Sequence, residues 1–315
     1  MRLAGLLLAC LTLFPDAASA AAKLTEADLA VVINTADPLS VAIGNYYVAK
    51  RHISKGNIAR VHFDATRDEI PAAEFSLIKA AVEKQVSPQV QAYALTWARP
   101  FRAGCMSITS AFAFGFDPSF CATTCRVTRI SPYFNATTAR PYDDLKIRPA
   151  MSIAATDLPQ AEMLIDRGIA AGRDGPRGTA FLIVNNADAA RSVRKVQYAP
   201  AAAIAGNRVG VRILKEDPQG LANVMFYFTG AISVPELHTD RFLPGAIADH
   251  LTSFGGLLTD SPQMSSLEWL NAGATGSYGT VVEPCAFLGK FPDVRVVIGH
   301  YLLGETLIEA YWKSV

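Results

Sequence analysis

The chain alternates short apolar runs with stretches of helical periodicity. Leu29-Ala-Val-Val-Ile-Asn34 is apolar up to its last residue, the pattern of a strand covered on both faces. Asp37-Pro38 then supplies a helix start, with Asp as N-cap and Pro in the first turn. That helix is expected to reach about Arg51, with Val41, Tyr47 and Val48 facing inward. Ile58 to Phe63 predicts a second strand. Ala72 to Val86 predicts a helix with Phe75, Ile78 and Val82 at helical spacing, and Val90 to Trp97 a third strand.

Positions 98–148 break this rhythm. They carry Cys105, Cys121 and Cys125, Gly104 and Gly115, and several aromatics without a period. A long insertion stapled by a disulfide is expected there, because long irregular loops in compact domains are normally functional or tied down. Regularity returns with a strand at Met151 to Ala155. A helix capped by Asp157 follows to about Ala171, with Leu158, Ala161, Leu164, Ile165 and Ile169 inward. After a turn at Gly172 to Gly178, strands are expected at Thr179–Val184, Val209–Leu214, Val224–Thr229 and Tyr278–Val282. Helices are expected at Val193–Ala205, at Gly245–Leu251, from Ser261-Pro262 to Gly273, at Asp293–Leu303 and from Glu305 to Val315. Strands alternating with helices imply a mostly parallel sheet with helices on both faces, a three-layer α/β sandwich. No internal repeat, low-complexity tract or linker stands out. A single domain over 21–315 is expected, with 21–150 and 151–315 as its two lobes if it divides.

The first 20 residues have another pattern. Arg2 precedes the apolar run Leu3 to Phe14, and Ala18-Ser19-Ala20 offers the small residues of a cleavage site. This predicts a signal peptide and an exported protein, periplasmic or secreted. No later apolar run is long enough to span a bilayer. The 315-residue chain is 50% hydrophobic and 18% charged, with 29 Lys+Arg against 28 Asp+Glu. So apolar and nearly neutral a chain is not disordered, and it lacks the basic excess of a nucleic-acid binder. Of five cysteines, Cys10 falls in the signal segment, leaving Cys105, Cys121, Cys125 and Cys285. In an oxidising compartment four cysteines permit two disulfides in three pairings, with one local bridge expected among the first three.

Ligands of parallel sheets bind at the carboxyl ends of the strands. That rule selects Asn34 and Asp37, Trp97 and Arg99, Asn185 and Asn186, Thr229 to Ala231, Ser253 with Gly255 and Gly256, and Glu283 beside Cys285. Most have bland alternatives: Asp37 as a cap, Trp97 as a core edge, Asn185-Asn186 as turn residues. The sequence has no Walker loop, no G-x-G-x-x-G, no G-x-S-x-G and no H-E-x-x-H. The glycines from Gly273 to Gly279 enter a strand instead of opening a helix, which is wrong for a phosphate cradle. No cofactor is expected. Cys121 and Cys125 lack a second paired motif, so no metal site is expected either. Among five histidines, His52, His62 and His300 read as structural, whereas His238 and His250 flank candidate site loops. Cys285 with His238 or His250 could form a nucleophile and base.

The strings FTGAISVPELHTDRFLPGAIADHLTSFGGLLTDS from Phe228, WLNAGATGSYGTVVEPCAF and LLGETLIEAYWKSV resemble an uncharacterised family of exported bacterial proteins found in genomes with the exosortase sorting system. CMSITSAFAFGFD, SPYF and IRPAMSIAATDLPQAEMLIDRGIAA extend that resemblance over nearly the whole mature chain. It implies a link to the cell envelope, with an envelope protein or polysaccharide as partner. The C-terminal half also resembles the caspase–gingipain fold. Phe228-Thr-Gly-Ala-Ile-Ser233 stands where such proteins carry a His-Gly pair, with Ala231 and Ile232 in its place. Leu251 to Gly256 stands near their cysteine turn but holds no Cys, and Ala272 to Gly279 fits a later turn. Relatives usually continue beyond Lys313-Ser-Val315, so a missing terminal segment is expected.

The first reading is thus a non-catalytic binding or accessory protein of the envelope. A cysteine hydrolase using Cys285 with His238 or His250 is the alternative. A third reading is a carboxylate- or metal-dependent hydrolase using Asp37, Asp260 or Glu283.

Overall fold

A computed structural model describes residues 23–121, 123, 125–172 and 175–315. The expected signal segment 1–20, and Arg173 and Asp174 of the expected turn, lie outside them. The first half runs β1 (Leu29–Asn34), α1 (Pro38–Arg51), β2 (Ile58–Val61), β3 (Glu69–Ile70), α2 (Ala72–Gln85), β4 (Ala92–Leu95), β5 (Arg102–Ala103), β6 (Met106–Ser107), α3 (Ile108–Phe114), α4 (Pro141–Leu145), β7 (Ala150–Ser152) and α5 (Leu158–Ala170). The second half runs β8 (Thr179–Ile183), α6 (Tyr198–Ala205), β9 (Gly210–Leu214), β10 (Val224–Thr229), β11 (Phe242–His250), α7 (Ser266–Ala272), α8 (Val294–Leu302) and α9 (Leu307–Trp312). Asp37 and Asp157 cap α1 and α5 as expected, and Ala161, Leu164 and Ile165 form the buried face of α5. In α1 the deepest positions are Ser40, Ile43 and Gly44, while Val41, Tyr47 and Val48 are only partly covered. Ile169, expected inward, lies on the outside of α5.

The α/β class stands, but the strands form three sheets instead of one: two four-stranded parallel sheets, in the orders β2-β1-β4-β7 and β9-β8-β10-β11, and a small mixed sheet in the order β3-β5-β6. Counted along the chain within each half, both orders are two-one-three-four. The fold therefore repeats a topology that the sequence at large hides. One local echo survives at the exit of the first strand of each sheet. Val32-Ile33-Asn34-Thr35-Ala36-Asp37 corresponds to Ile183-Val184-Asn185-Asn186-Ala187-Asp188. In both, the Asp accepts a backbone N–H two residues on, Leu39 at 2.9 Å and Ala190 at 2.8 Å.

Three expectations fail for tertiary reasons. Gly245–Leu251 is not a helix but part of β11, since Ala246 to His250 are buried on both faces and pair with β10. Short apolar runs fit helix and strand alike, and here the neighbouring strand decides. Tyr278–Val282 is not a strand. The segment touches β11 only at the Ile247–Gly276 bridge and then turns away to pack its backbone on Gly255 and Gly256. The helix expected from Ser261 begins later, at α7, capped by Ser265. The 98–148 segment is more than an insertion. Its α3 is the crossover that covers the first sheet, with Phe112 edge-on to Phe75 and Tyr93 at 5.2 and 5.9 Å between ring centres.

Asn185 holds a left-handed backbone conformation and its side chain satisfies groups of the loops after β9 and β10, so Asn185→Ala should destabilise the protein by about 1–3 kcal/mol. Urea unfolding of both proteins measures it.

A candidate ligand-binding cavity

The carboxyl ends of β1 and β8 are closed on themselves. Asn34 is fully buried; its Oδ1 accepts from the N–H of Ala36 and Phe63, and its Nδ2 donates to the Phe63 carbonyl at 3.0 Å. Asn185 repeats the role. Its Oδ1 accepts from Gly230 N at 2.7 Å and Thr229 Oγ1 at 2.9 Å, and its Nδ2 donates to Asp217 at 2.8 Å. Trp97 is buried with its indole N–H on the Pro100 carbonyl. Arg99 straps β4 to the second half through ion pairs with Asp68 and Asp260 and a hydrogen bond to Thr259. Gly255 and Gly256 allow a backbone crossing: a Cβ on Gly256 would stand 2.5 Å from the Gly279 carbonyl oxygen. The Ser253 carbonyl accepts from Thr280 Oγ1, and Glu283 caps Cys285 N at 2.7 Å. Asp37, Asp260 and Glu283 are thus committed to a cap, an ion pair and a turn. Among the described residues no three His, Cys, Asp or Glu side chains group as metal ligands.

The cysteine route is corrected outright. Cys285 is bonded to Cys125, and Cys105 to Cys121, so all four are disulfides. Cys285 has no thiol to ionise, and a nucleophile needs one. His238 lies exposed, 3.5 Å from Glu236. His250 is buried, and both ring nitrogens are occupied. Nδ1 accepts from the Trp269 indole at 2.8 Å, which leaves Nε2 to donate to the Met264 carbonyl at 2.8 Å. Burial holds its pKa down at about 4. His300 is structural as well, lying between Glu305 at 2.9 Å and Asn135 at 3.0 Å.

The open space lies elsewhere. A cavity of about 520 Å³ opens between the 101–134 segment and the 277–290 and 311–315 segments. Phe101, Met106, Ile108 and Phe114 form one wall; Leu258, Tyr278, Val281 and Val282 form the other. Phe114 stacks on Phe120 at 4.2 Å and meets Trp312 edge-on at 5.5 Å. Trp312 is fixed by its indole N–H on the Ala150 carbonyl at 2.9 Å, at the start of β7. The Cys125–Cys285 bridge ties the two walls together. Lys290 lies in the floor region with Nζ on the Pro284 carbonyl at 3.1 Å. Tyr311 also lines the cavity, with a buried hydroxyl that has no hydrogen-bond partner. Of the residues selected at the strand ends, only Gly256 borders this space. The signal that could have found it was the unpatterned aromatics of 98–148, too apolar for a plain surface loop.

A buried ion pair sits at the end of β11. Arg194 Nη1 meets Asp249 Oδ1 at 2.5 Å, both essentially without solvent. Desolvation pushes the Asp249 carboxyl up to about 6 against the pull of Arg194. Comparison of the chain with protein-family models, curated proteins and solved structures finds no match in any of the three.

Two measurements follow from this geometry. The chain from Ala21 carries four cysteines, so it should give no thiol reaction when oxidised and four equivalents after reduction in denaturant. A reactive thiol in the oxidised protein would restore the hydrolase reading. Asp249 binds its proton more tightly folded than unfolded, so its contribution to stability falls as pH rises from about 4 to about 6. His250 slopes oppositely: held neutral when folded, it contributes stability that is lost as pH drops from about 6.5 to about 4. Arg194→Met strands the Asp249 charge, so it should cost about 3–5 kcal/mol at pH 8 and less at pH 5, where Asp249 is protonated. Urea unfolding at both pH values separates these outcomes.

Proposed function

We propose that the protein is an exported binding protein of the cell envelope, and that it holds an apolar ligand in the cavity between the 101–134 segment and the C-terminal segments. The cavity carries this reading. Its volume of about 520 Å³ lies within the roughly 300–1,000 Å³ of small-molecule sites. Its walls are mainly aromatic and aliphatic, with a few hydroxyls to orient a ligand. Two disulfides are chemistry expected of an oxidising compartment, and among the described residues no helix is long and apolar enough to cross a membrane.

The resemblances noted in the sequence fit the same reading. In a caspase–gingipain frame the base and nucleophile positions are occupied by Ala231, Ile232 and a cysteine-free turn, which leaves no covalent route. The likeness to exosortase-linked exported proteins supports a ligand or partner in the envelope. The commitment of Cys285 to a bridge supports the binding reading over the thiol hydrolase.

The test is binding of parinaric acid, followed by energy transfer from the tryptophans, of which Trp312 lies in the cavity wall. Saturable binding at micromolar concentration is expected. Thr109→Trp narrows the cavity from the rigid start of α3 and should weaken binding at least tenfold while thermal stability stays within a few degrees. Binding that is absent, or indifferent to Thr109→Trp, rules out this cavity as the site.

A further inference from the structure

The mouth of the cavity is unusual in its surface. Val127 is 84% exposed, Ile130 78%, Phe134 42% and Phe287 40%, and all four border the cavity. Single exposed apolar side chains need no explanation, but four around one apolar opening form a patch. Basic residues are interleaved with them. Arg126 is exposed beside Val127, and Arg129 is 62% exposed beside Ile130, between Asp117 at 3.5 Å and the Phe120 ring at 5.3 Å. The acidic groups nearby, Asp117 and Glu283, are already engaged with Arg129 and with the Cys285 N–H. Apolar side chains alternating with arginines are the pattern of a segment that lies in a lipid interface, apolar groups among the acyl chains and cations on anionic headgroups.

We propose that the 126–134 segment and Phe287 dock on an anionic lipid surface and that the cavity behind them receives one acyl chain of a lipid. This rests on the reading of the cavity as a ligand site and names its ligand class. An acyl chain suits the space because it brings no hydrogen-bonding groups of its own. An extended peptide would bring an N–H and a C=O per residue, each needing a partner against mainly apolar walls. The Cys125–Cys285 bridge fixes the docking segment to the opposite wall, so that mouth and cavity stay in register.

Co-sedimentation of the oxidised protein with phosphatidylglycerol/phosphatidylcholine vesicles tests this, with pure phosphatidylcholine vesicles as the comparison. Binding to the anionic vesicles is expected, at least tenfold tighter than to the neutral ones and weakened by salt. Val127→Ser/Ile130→Ser and Arg126→Gln should each reduce it at least threefold, and Arg126→Gln, at a residue outside the cavity lining, should keep parinaric acid affinity within twofold. Failure of vesicle binding while parinaric acid still binds overturns the lipid surface and leaves the cavity reading intact. Failure of both overturns the cavity reading first. An apolar peptide that displaces parinaric acid while vesicles do not would make the occupant a protein segment and also overturn the proposal.

Discussion

An asparagine at the exit of the first strand, buried at Asn34 and half-buried at Asn185, governs each of the two four-stranded sheets. Parallel strands leave backbone groups unpaired where adjacent strands part company, and those ends are where ligands usually enter such sheets. Here Asn34 gathers the exit of β2, and Asn185 gathers the exits of β9 and β10. Each satisfies groups that would otherwise need water or a ligand. The customary ligand position is thereby filled by the protein's own side chains, twice. Asp37 and Asp188 complete the device by starting the next segment in a fixed direction.

The consequence is a displaced opening. The link from β4 to β7 is far longer than a crossover requires, and only α3 is needed to cover the sheet. The surplus chain packs Phe120 against the core's edge and carries Val127, Ile130 and Phe134 out to the cavity mouth. The Cys125–Cys285 bridge then pins that surplus to a segment 160 residues away. In the chain-entropy view, a cross-link over so long a loop removes roughly 5 kcal/mol of freedom from the unfolded chain. The same bond that stabilises the cavity's two walls removes the thiol on which a hydrolytic role would depend. Structure and function thus meet at one covalent link.

Much of this was legible in the residues. Phe75, Ile78 and Val82 marked the buried face of α2, and Asp37 and Asp157 announced their helices, because period and capping are local properties. The disulfide chemistry followed from an even cysteine count, and a local bridge from their spacing. β11 was not legible: five consecutive buried residues satisfy a helix and a strand equally until a neighbouring strand is in place. Nor was the role of the glycines, since Gly256 and Gly279 matter only to each other, across a crossing that no local pattern records.

The sequence by itself determined the α/β class, the caps, several helix faces and a local bridge among Cys105, Cys121 and Cys125, all consequences of nearest neighbours and of composition. The tertiary structure alone decided that two four-stranded sheets share one topology, that Cys125 is the partner of Cys285, and that the open space lies beside the C-terminal segments. Those are facts about residues distant in the chain, and their energies arise only once burial brings the surfaces together.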